Sequence, residues 1–242
     1  MAIIDFRGSI PLLNNSTRVT IAIPSLIPEK TDKWKVLWLL GEEGRSSDHY
    51  VRFSSIEKLS EEWNMAVVMP EGLHSDYENM IRGLRWFDYI SDSLPRFIYD
   101  NFPVSDTKED NFVFGFGMGG LGALRLAFRV PEFAAAYGAF GADLDVFAQD
   151  AEHSTAAYIR KLQTIYGDDF LSEDILNSSD LYRLASQAQV IPPLMVLSSG
   201  YSFLKLKSVL SSKARGSVFI NSENTTGYDD ALKAFHDMTE KL

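Results

Sequence analysis

A glycine-rich turn is the feature of this sequence most able to carry chemistry. It lies in the segment from Asn111, NFVFGFGMGGLGALRLAF. Gly115, Gly117 and Gly120 fit the dinucleotide-binding pattern G-x-G-x-x-G, and Asp143 follows 23 residues after Gly120, where a ribose-binding acid is expected. The same turn fits the nucleophile-elbow pattern G-x-S-x-G, with Gly117 at the serine position. The dinucleotide pattern usually opens a βαβ unit, but several strand and helix patterns precede this turn, which weakens the nucleotide interpretation.

The residue types present in the chain exclude several other kinds of site. The chain has no cysteine, which excludes a thiol nucleophile, a disulfide scaffold and a thiolate metal site. Its four histidines are far apart in sequence and form no paired ligand motif, so we expect no metal site. The segments Ser46–His49 and His74–Asp76 contain the residue types of a nucleophile and a base. We interpret both segments as polar surface loops, because neighbours in sequence rarely present a nucleophile and a base to each other.

Composition and charge narrow the possible partners. The chain has 242 residues, 45% of them hydrophobic, and a net charge of −10 from 33 acidic and 23 basic side chains. A field of that sign repels phosphate backbones and anionic membranes. The densest basic stretch, residues 205–215, is interpreted as a solvated helix face. We therefore expect no nucleic-acid or membrane partner. Without a signal-peptide pattern or a run of about 20 apolar residues, the chain is predicted to be cytoplasmic.

Strand and helix patterns alternate along the chain. Strands are predicted at residues 2–7, 17–24, 34–40, 65–69, 112–116, 134–140, 194–197 and 217–220. Helical spacing follows at Ile56–Trp63, Phe87–Ile98, Leu121–Phe128 and Leu232–Leu242. This alternation predicts an open, mostly parallel α/β sheet. We predict one domain over residues 1–242, with residues 145–190 forming a helical, cap-like insertion over the carboxyl edge of the sheet.

The sequence resembles the esterase D family of α/β-hydrolases, which includes tributyrin esterases and S-formylglutathione hydrolases. The resemblance covers nearly the whole chain, is strongest over residues 34–145, and is carried by KVLWLLGEEG, IEKLSEEWNMAVVMPEG, DYISDSLPRFIYDNFP, NFVFGFGMGGLGALRLAFRVPEFAAAYGAFGADLD and SSDLYRLA. It implies an α/β-hydrolase fold, with helices on both faces of a mostly parallel central sheet. Because a match of that length is more specific than a short glycine pattern, it favours the nucleophile elbow.

The resemblance also implies a degenerate catalytic triad. Active relatives use a serine, an aspartate and a histidine in that chain order. Here Gly117 replaces the serine, Ser202 is the nearest equivalent of the aspartate, and Gly227 stands at the histidine position. His236 follows nine residues later, about 13 Å along a helix, which is too far for it to substitute.

The neighbouring positions also differ from the family pattern. The backbone N–H of Met118 can serve as one oxyanion donor, and the second falls at Glu42 or Glu43, where a carboxylate would oppose a developing negative charge. The resemblance suggests Tyr77, Asn79 and Trp86 as pocket residues, although Trp86 equally fits helix packing.

Three functional hypotheses follow. The first is a pseudo-esterase that has lost its triad and binds a small molecule, or assembles with itself or with an active paralogue. The second is a carboxylesterase acting on small acyl esters through an unorthodox or weak site. The third is a nucleotide-binding protein, which the length of the family match disfavours. We expect no cofactor.

Overall fold

The computed structural model describes residues 1–9, 13, 15–25, 33–214, 216–221 and 227–242. An eight-stranded sheet has the strand order β1-β2-β4-β3-β5-β6-β7-β8. The first two strands pair in antiparallel fashion, and β2 joins β4 in the same way, whereas the remaining pairings are parallel. The strands are β1 Ala2–Ser9, β2 Ser16–Ile23, β3 Lys35–Leu40, β4 Met65–Pro70, β5 Asn111–Phe116, β6 Ala136–Phe140, β7 Leu194–Ser198 and β8 Val218–Asn221. This architecture confirms the predicted α/β sheet.

Helices connect and cover the strands. They are α1 His49–Phe53, α2 Ile56–Trp63, α3 Trp86–Asp88, α4 Leu94–Asn101, α5 Met118–Arg129, α6 Ala156–Tyr166, α7 Glu173–Ser179, α8 Leu181–Gln187, α9 Gly200–Leu210 and α10 Tyr228–Thr239. A π-helical turn, Tyr89–Ser93, joins α3 to α4 just before Pro95. Because proline has no N–H to donate, the regular helical ladder cannot continue through it.

The alternation of side chains along the strands builds two cores. In β3, Val36, Trp38 and Leu40 belong to one apolar cluster, while Leu37 and Leu39 belong to the other. The first cluster includes buried side chains of α4, α5, α8 and α9, and the second includes those of α2 and α10. Helices therefore cover both faces, which explains why β3 and β4 are near-continuous apolar runs rather than alternating ones.

The segment 145–190 contains α6, α7 and α8 and no strand. Fully buried Arg125 of α5 holds this segment to the rest of the fold. Its guanidinium donates to the Tyr166 hydroxyl at 2.7 Å and to the Ser179 carbonyl at 3.4 Å, and it pairs with Glu78 at 3.0 Å. α6 and α7 are therefore fixed to the loop that follows β4.

Local boundaries differ from the predicted ones at the glycine-rich turn. The helix after this turn begins at Met118 instead of Leu121, because the strand passes into the helix through the single residue Gly117. The strand predicted at residues 134–140 begins at Ala136. Among the residues that the structure describes, every helix falls short of the length and apolar character that crossing a bilayer requires.

Candidate active site

The turn between β5 and α5 has the geometry of a nucleophile elbow. Gly117 has φ of 53° and ψ of −120°, a conformation that side-chain-bearing residues rarely adopt. Its N–H donates a hydrogen bond to the carbonyl of Phe140 at 2.8 Å, which fixes the turn against β6. The chain therefore keeps the strained backbone turn while the residue at its apex has no side chain.

The glycines flanking the apex are required by close packing, whereas the apex itself is not crowded. A Cβ on Gly115 would lie 2.1 Å from the carbonyl carbon of Gly119, and a Cβ on Gly119 would lie 2.1 Å from the carbonyl oxygen of Leu40. A Cβ on Gly117 would meet nothing nearer than the Glu42 side chain at 3.6 Å. Sterically, a serine fits at position 117, so packing does not explain its absence.

The side chain nearest to the apex is Glu42, which comes two residues after the end of β3. One carboxylate oxygen, Oε1, would lie 3.9 Å from a Cβ at Gly117. The other, Oε2, accepts a hydrogen bond from the Tyr228 hydroxyl at 3.0 Å and lies 3.7 Å from Nε2 of His49. The Glu42 carboxylate therefore lies beside the apex of the turn.

His49 and Tyr228 complete this arrangement from α1 and from the start of α10. His49 is 8% exposed, and its Nε2 lies 3.2 Å from the Tyr228 hydroxyl. Burial lowers the pKa of His49 below its usual value, which favours the neutral imidazole. Burial and the hydrogen bond to Glu42 raise the pKa of Tyr228 to about 12. We call Glu42, His49, Tyr228 and Gly117 the elbow cluster.

The interpretation of His74–Asp76 as a surface loop was wrong for the buried Ser75 and Asp76, and it was also wrong for Ser47 and His49 of the segment Ser46–His49. The segment lies near the carboxyl end of β3, and Ser47 and His49 are both buried. Ser47 accepts a hydrogen bond from the Thr20 hydroxyl at 2.9 Å, and so acts in packing. Sequence analysis missed Tyr228 altogether, because its partners Glu42 and His49 lie 186 and 179 residues away in the chain.

Ser202 and Gly227 are the residues that the family resemblance suggested for the two remaining triad positions. Ser202 lies in the first turn of α9, where its backbone carbonyl accepts a hydrogen bond from Tyr182 at 3.1 Å. Gly227 is the N-cap residue of α10, and a Cβ there would face open space. Half of the turn expected there, residues 224–226 of 224–229, lies outside the described residues.

The other three histidines lie away from the elbow cluster. His236 stacks on Trp63 with ring centroids 4.5 Å apart, on the face of the sheet covered by α2 and α10. His153 lies between Asp150 at 2.7 Å and Asp143 at 3.3 Å. His74 contacts Glu43 at 3.2 Å.

The structure separates the two glutamates of the predicted oxyanion loop. Glu42 faces the elbow, whereas Glu43 pairs with Lys161 of α6 at 3.1 Å. Met118 is the first residue of α5, so its N–H belongs to the helix terminus beside the apex. The phenolic oxygen of Tyr77 accepts from the Gly41 N–H at 2.8 Å and its hydroxyl donates to the Gly41 carbonyl at 3.2 Å, and these two bonds hold the loop in place.

The three suggested pocket residues play structural parts in the described contacts. Tyr77 is fully buried, and Trp86 is 3% exposed within the core. Asn79 exchanges hydrogen bonds with Asp88, donating at 2.8 Å and accepting at 3.1 Å. Asn79 also borders a cleft of about 300 Å³ beside α6 and α7.

A larger cavity of about 540 Å³ has Glu43, the residue after Glu42, in its wall. It lies between the loops after β3 and β4 and helix α6. Its walls include Glu43, His74, Met80, Tyr158, Arg160 and Lys161. Its volume is within the range of small-molecule sites.

The apex of the turn offers no hydroxyl, and the nearest side chain there is that of Glu42. The described hydrogen-bond partner of the His49 ring is the Tyr228 hydroxyl, so the imidazole has no serine at the apex to deprotonate.

Comparison with known proteins identifies the family to which the chain belongs. The family model described as "Putative esterase" matches residues 12–144. An acetyl esterase from Caldicellulosiruptor saccharolyticus is 29% identical over 134 residues, which cover 52% of this chain and 50% of the relative. The chain belongs to this esterase family. It matches about half the length of that curated relative.

Solved structures show the same fold over almost the entire chain. FphF, a fluorophosphonate-binding serine hydrolase from Staphylococcus aureus, is 25% identical, with a TM-score of 0.81 and 98% of both chains covered. The S-formylglutathione hydrolase FrmB from the same organism is 23% identical, with a TM-score of 0.79 and the same coverage. MPT51 from Mycobacterium tuberculosis is 15% identical, with a TM-score of 0.75 over 100% of this chain and 97% of its own. This chain therefore has the α/β-hydrolase fold.

Proposed function

We propose that this protein is a non-catalytic member of the esterase family that binds a small molecule in the cavity beside the elbow cluster. The observation that carries the proposal is the elbow itself, where Gly117 replaces the nucleophile and the Glu42 carboxylate faces the apex. In a serine hydrolase the apex hydroxyl attacks the acyl carbon, and backbone N–H groups stabilise the oxyanion that forms. Here there is no group to attack, and the carboxylate disfavours negative charge at the same place.

Loss of the histidine supports the same proposal. Gly227 cannot accept the nucleophile's proton, and the imidazole that reaches the cluster comes from α1. Because base and nucleophile act as a unit, restoring only one of them recovers little activity. The proposal treats residues 145–190 as a cap-like segment of a single domain, whose helix α6 forms one wall of the cavity.

The proposed partner is a small molecule. Assembly with itself or with an active paralogue would be another non-catalytic role. The net charge of −10 supports the absence of nucleic acid and anionic membranes among the partners. The proposal places the protein in the cytoplasm, with which a chain without cysteine is compatible.

Labelling with a fluorophosphonate probe, together with a nitrophenyl acetate assay, tests the proposal directly. We expect no labelling and no turnover above buffer for the wild type, with FphF as the positive control. The Gly117→Ser variant tests the triad assignment, and it should also remain inactive because Gly227 supplies no base. Efficient turnover by the wild type would refute the proposal, and efficient turnover by Gly117→Ser alone would refute the assignment of Gly227.

His49 favours one alternative, a weak carboxylesterase for small acyl esters. A neutral imidazole in the elbow cluster can take a proton from a water molecule, whose oxygen then bonds to the ester carbon, with the Met118 N–H as the expected oxyanion donor. The ester C–O bond then breaks, and the imidazolium returns the proton to the departing alkoxide oxygen. In that case, slow turnover should occur without probe labelling, and His49→Gln should abolish it. The matched variant His236→Gln, near the starts of β4 and β5, should leave that turnover unchanged.

A further inference from the structure

Charged side chains lie on two opposite walls of the 540 Å³ cavity. One stripe of α6, formed by Ala157, Arg160, Lys161 and Thr164 at helical spacing, makes one wall. Glu43 and His74 come from the two loops opposite. The acidic group of the lining therefore faces two permanent cations from a single helix.

The carboxylates near this cavity already have partners. Glu43 is 3.1 Å from the Lys161 ammonium and 3.2 Å from Nδ1 of His74, and Lys161 also pairs with buried Asp76 at 2.8 Å. Burial by itself would raise the pKa of Glu43, but Lys161 and His74 offset this and hold the pKa below its usual value. Two carboxylates, Glu43 and Asp76, therefore share the single ammonium of Lys161, which leaves that cation occupied within the protein.

Arg160 is the cation without such a partner. Within the described part of the chain, no carboxylate lies within ion-pair distance of its guanidinium, whereas the neighbouring Lys161 has two. Arginine presents a planar fork of donors that matches a carboxylate in a bidentate arrangement. Arg160 is an exposed residue of the cavity lining, so its guanidinium is open to an anion from solvent.

The rest of the lining is suited to an apolar body. The ring of Tyr158 is held by hydrogen bonds from its hydroxyl to Asp143 at 3.1 Å and to the Val146 carbonyl at 3.0 Å, so the ring is a fixed wall. Met80 and Ala157 add further apolar surface. A thioether adapts to varied ligand shapes and contacts aromatic rings favourably.

We propose that this cavity binds a monocarboxylate with an apolar or aromatic body, its carboxylate on Arg160 and its body against Tyr158 and Met80. The inference rests on the proposed binding function and names its ligand class. Such a compound is the acid that hydrolysis of an ester releases, so the cavity would recognise the product of the chemistry that the elbow has lost.

Titration of the full-length protein with hydrocinnamate and with its neutral amide, followed by ligand-observed NMR, tests this ligand class. We expect the carboxylate to bind at least about tenfold more tightly than the amide, because a charge-assisted hydrogen bond to arginine is absent from the amide complex. Arg160→Gln should weaken carboxylate binding about tenfold and leave amide binding unchanged. Arg160→Lys should keep part of the preference. Arg96→Gln, which alters an exposed arginine on α4, should change neither affinity.

Equal affinity for the two compounds, an unchanged preference in Arg160→Gln, or the absence of binding by both compounds would overturn the inference. These results differ from the failure of the proposed function. If wild-type protein hydrolysed nitrophenyl acetate, the non-catalytic role would fail even where the carboxylate preference held. If the amide bound as well as the acid and no ester was hydrolysed, only the ligand class would fail.

Discussion

The Gly117→Ala variant tests whether the backbone conformation of the elbow is strained for a residue that has a side chain. Gly117 has φ of 53°, and a Cβ there would touch only the Glu42 side chain at an ordinary contact distance of 3.6 Å. The substitution therefore adds backbone strain without a steric clash. Gly115→Ala is the matched comparison, because its Cβ would lie 2.1 Å from a backbone carbon of α5.

The expected magnitudes follow from these two situations. A side-chain-bearing residue in such a conformation costs about 1–3 kcal/mol. Loss of glycine's freedom in the unfolded chain offsets about 0.4–1 kcal/mol of this. We expect Gly117→Ala to lower the free energy of unfolding by about 1–2 kcal/mol, or roughly 2–4 °C in Tm for each kcal/mol. Gly115→Ala should lower it by more than about 3 kcal/mol, because the backbone of α5 cannot move aside without separating from the sheet.

Urea denaturation monitored by tryptophan fluorescence measures both free energies, and circular dichroism checks that each variant is folded before denaturation. The reasoning fails if Gly117→Ala is as stable as the wild type, since the turn would then carry no strain. It also fails if the two variants lose equal stability, since the distinction between a strained apex and a crowded flank would disappear.

Two further predictions concern buried charge. Arg125→Met should lower the free energy of unfolding by about 3 kcal/mol, because it removes a fully buried cation from Glu78, whereas the exposed Arg183→Met should leave the urea midpoint unchanged. Burial lowers the pKa of His49, so its contribution to stability is present above the usual value of 6.5 and is lost as the pH falls. Burial also acts to lower the pKa of His153, but nearby carboxylates raise it overall, so that its contribution is full below 6.5 and is lost as the pH rises through the raised pKa. The difference in unfolding free energy between wild type and His49→Gln should therefore shrink on acidification, and that between wild type and His153→Gln should grow. Urea titrations from pH 5.5 to 8 measure both differences, and opposite trends would contradict these assignments.

The strands were predictable because their signals are local. Lys35–Leu40 and Met65–Pro70 are apolar runs of strand length, and their burial on both faces leaves no alternative periodicity to confuse them. The start of α5 was placed late, because a glycine-rich stretch resembles a loop until its packing is known. Gly119 can be helical only because its missing side chain lets the helix touch the Leu40 carbonyl.

The elbow cluster was less predictable, because it is made by contacts that span almost the entire chain. Gly117 and Glu42 were found through the family pattern. His49 and Tyr228 match no local motif, and their meeting depends on the loop after β3 and the start of α10 reaching the same sheet edge. Arg160 was missed for a similar reason, since an arginine in a helix has no sequence signal that tells an unpaired cavity residue from a solvated one.

Conservation of the elbow geometry does not by itself indicate catalysis. The turn is held by backbone contacts, from the Gly117 N–H to Phe140 and from α5 to the end of β3, and these contacts join the sheet to its central helix. A chain that lost its nucleophile would keep them for stability alone. The side chain above the turn carries more functional information, because a carboxylate at this place disfavours an oxyanion while adding a hydrogen bond from Tyr228. The hydrogen bond between Tyr228 and Glu42 therefore supports the proposed non-catalytic role more directly than the backbone of the elbow does.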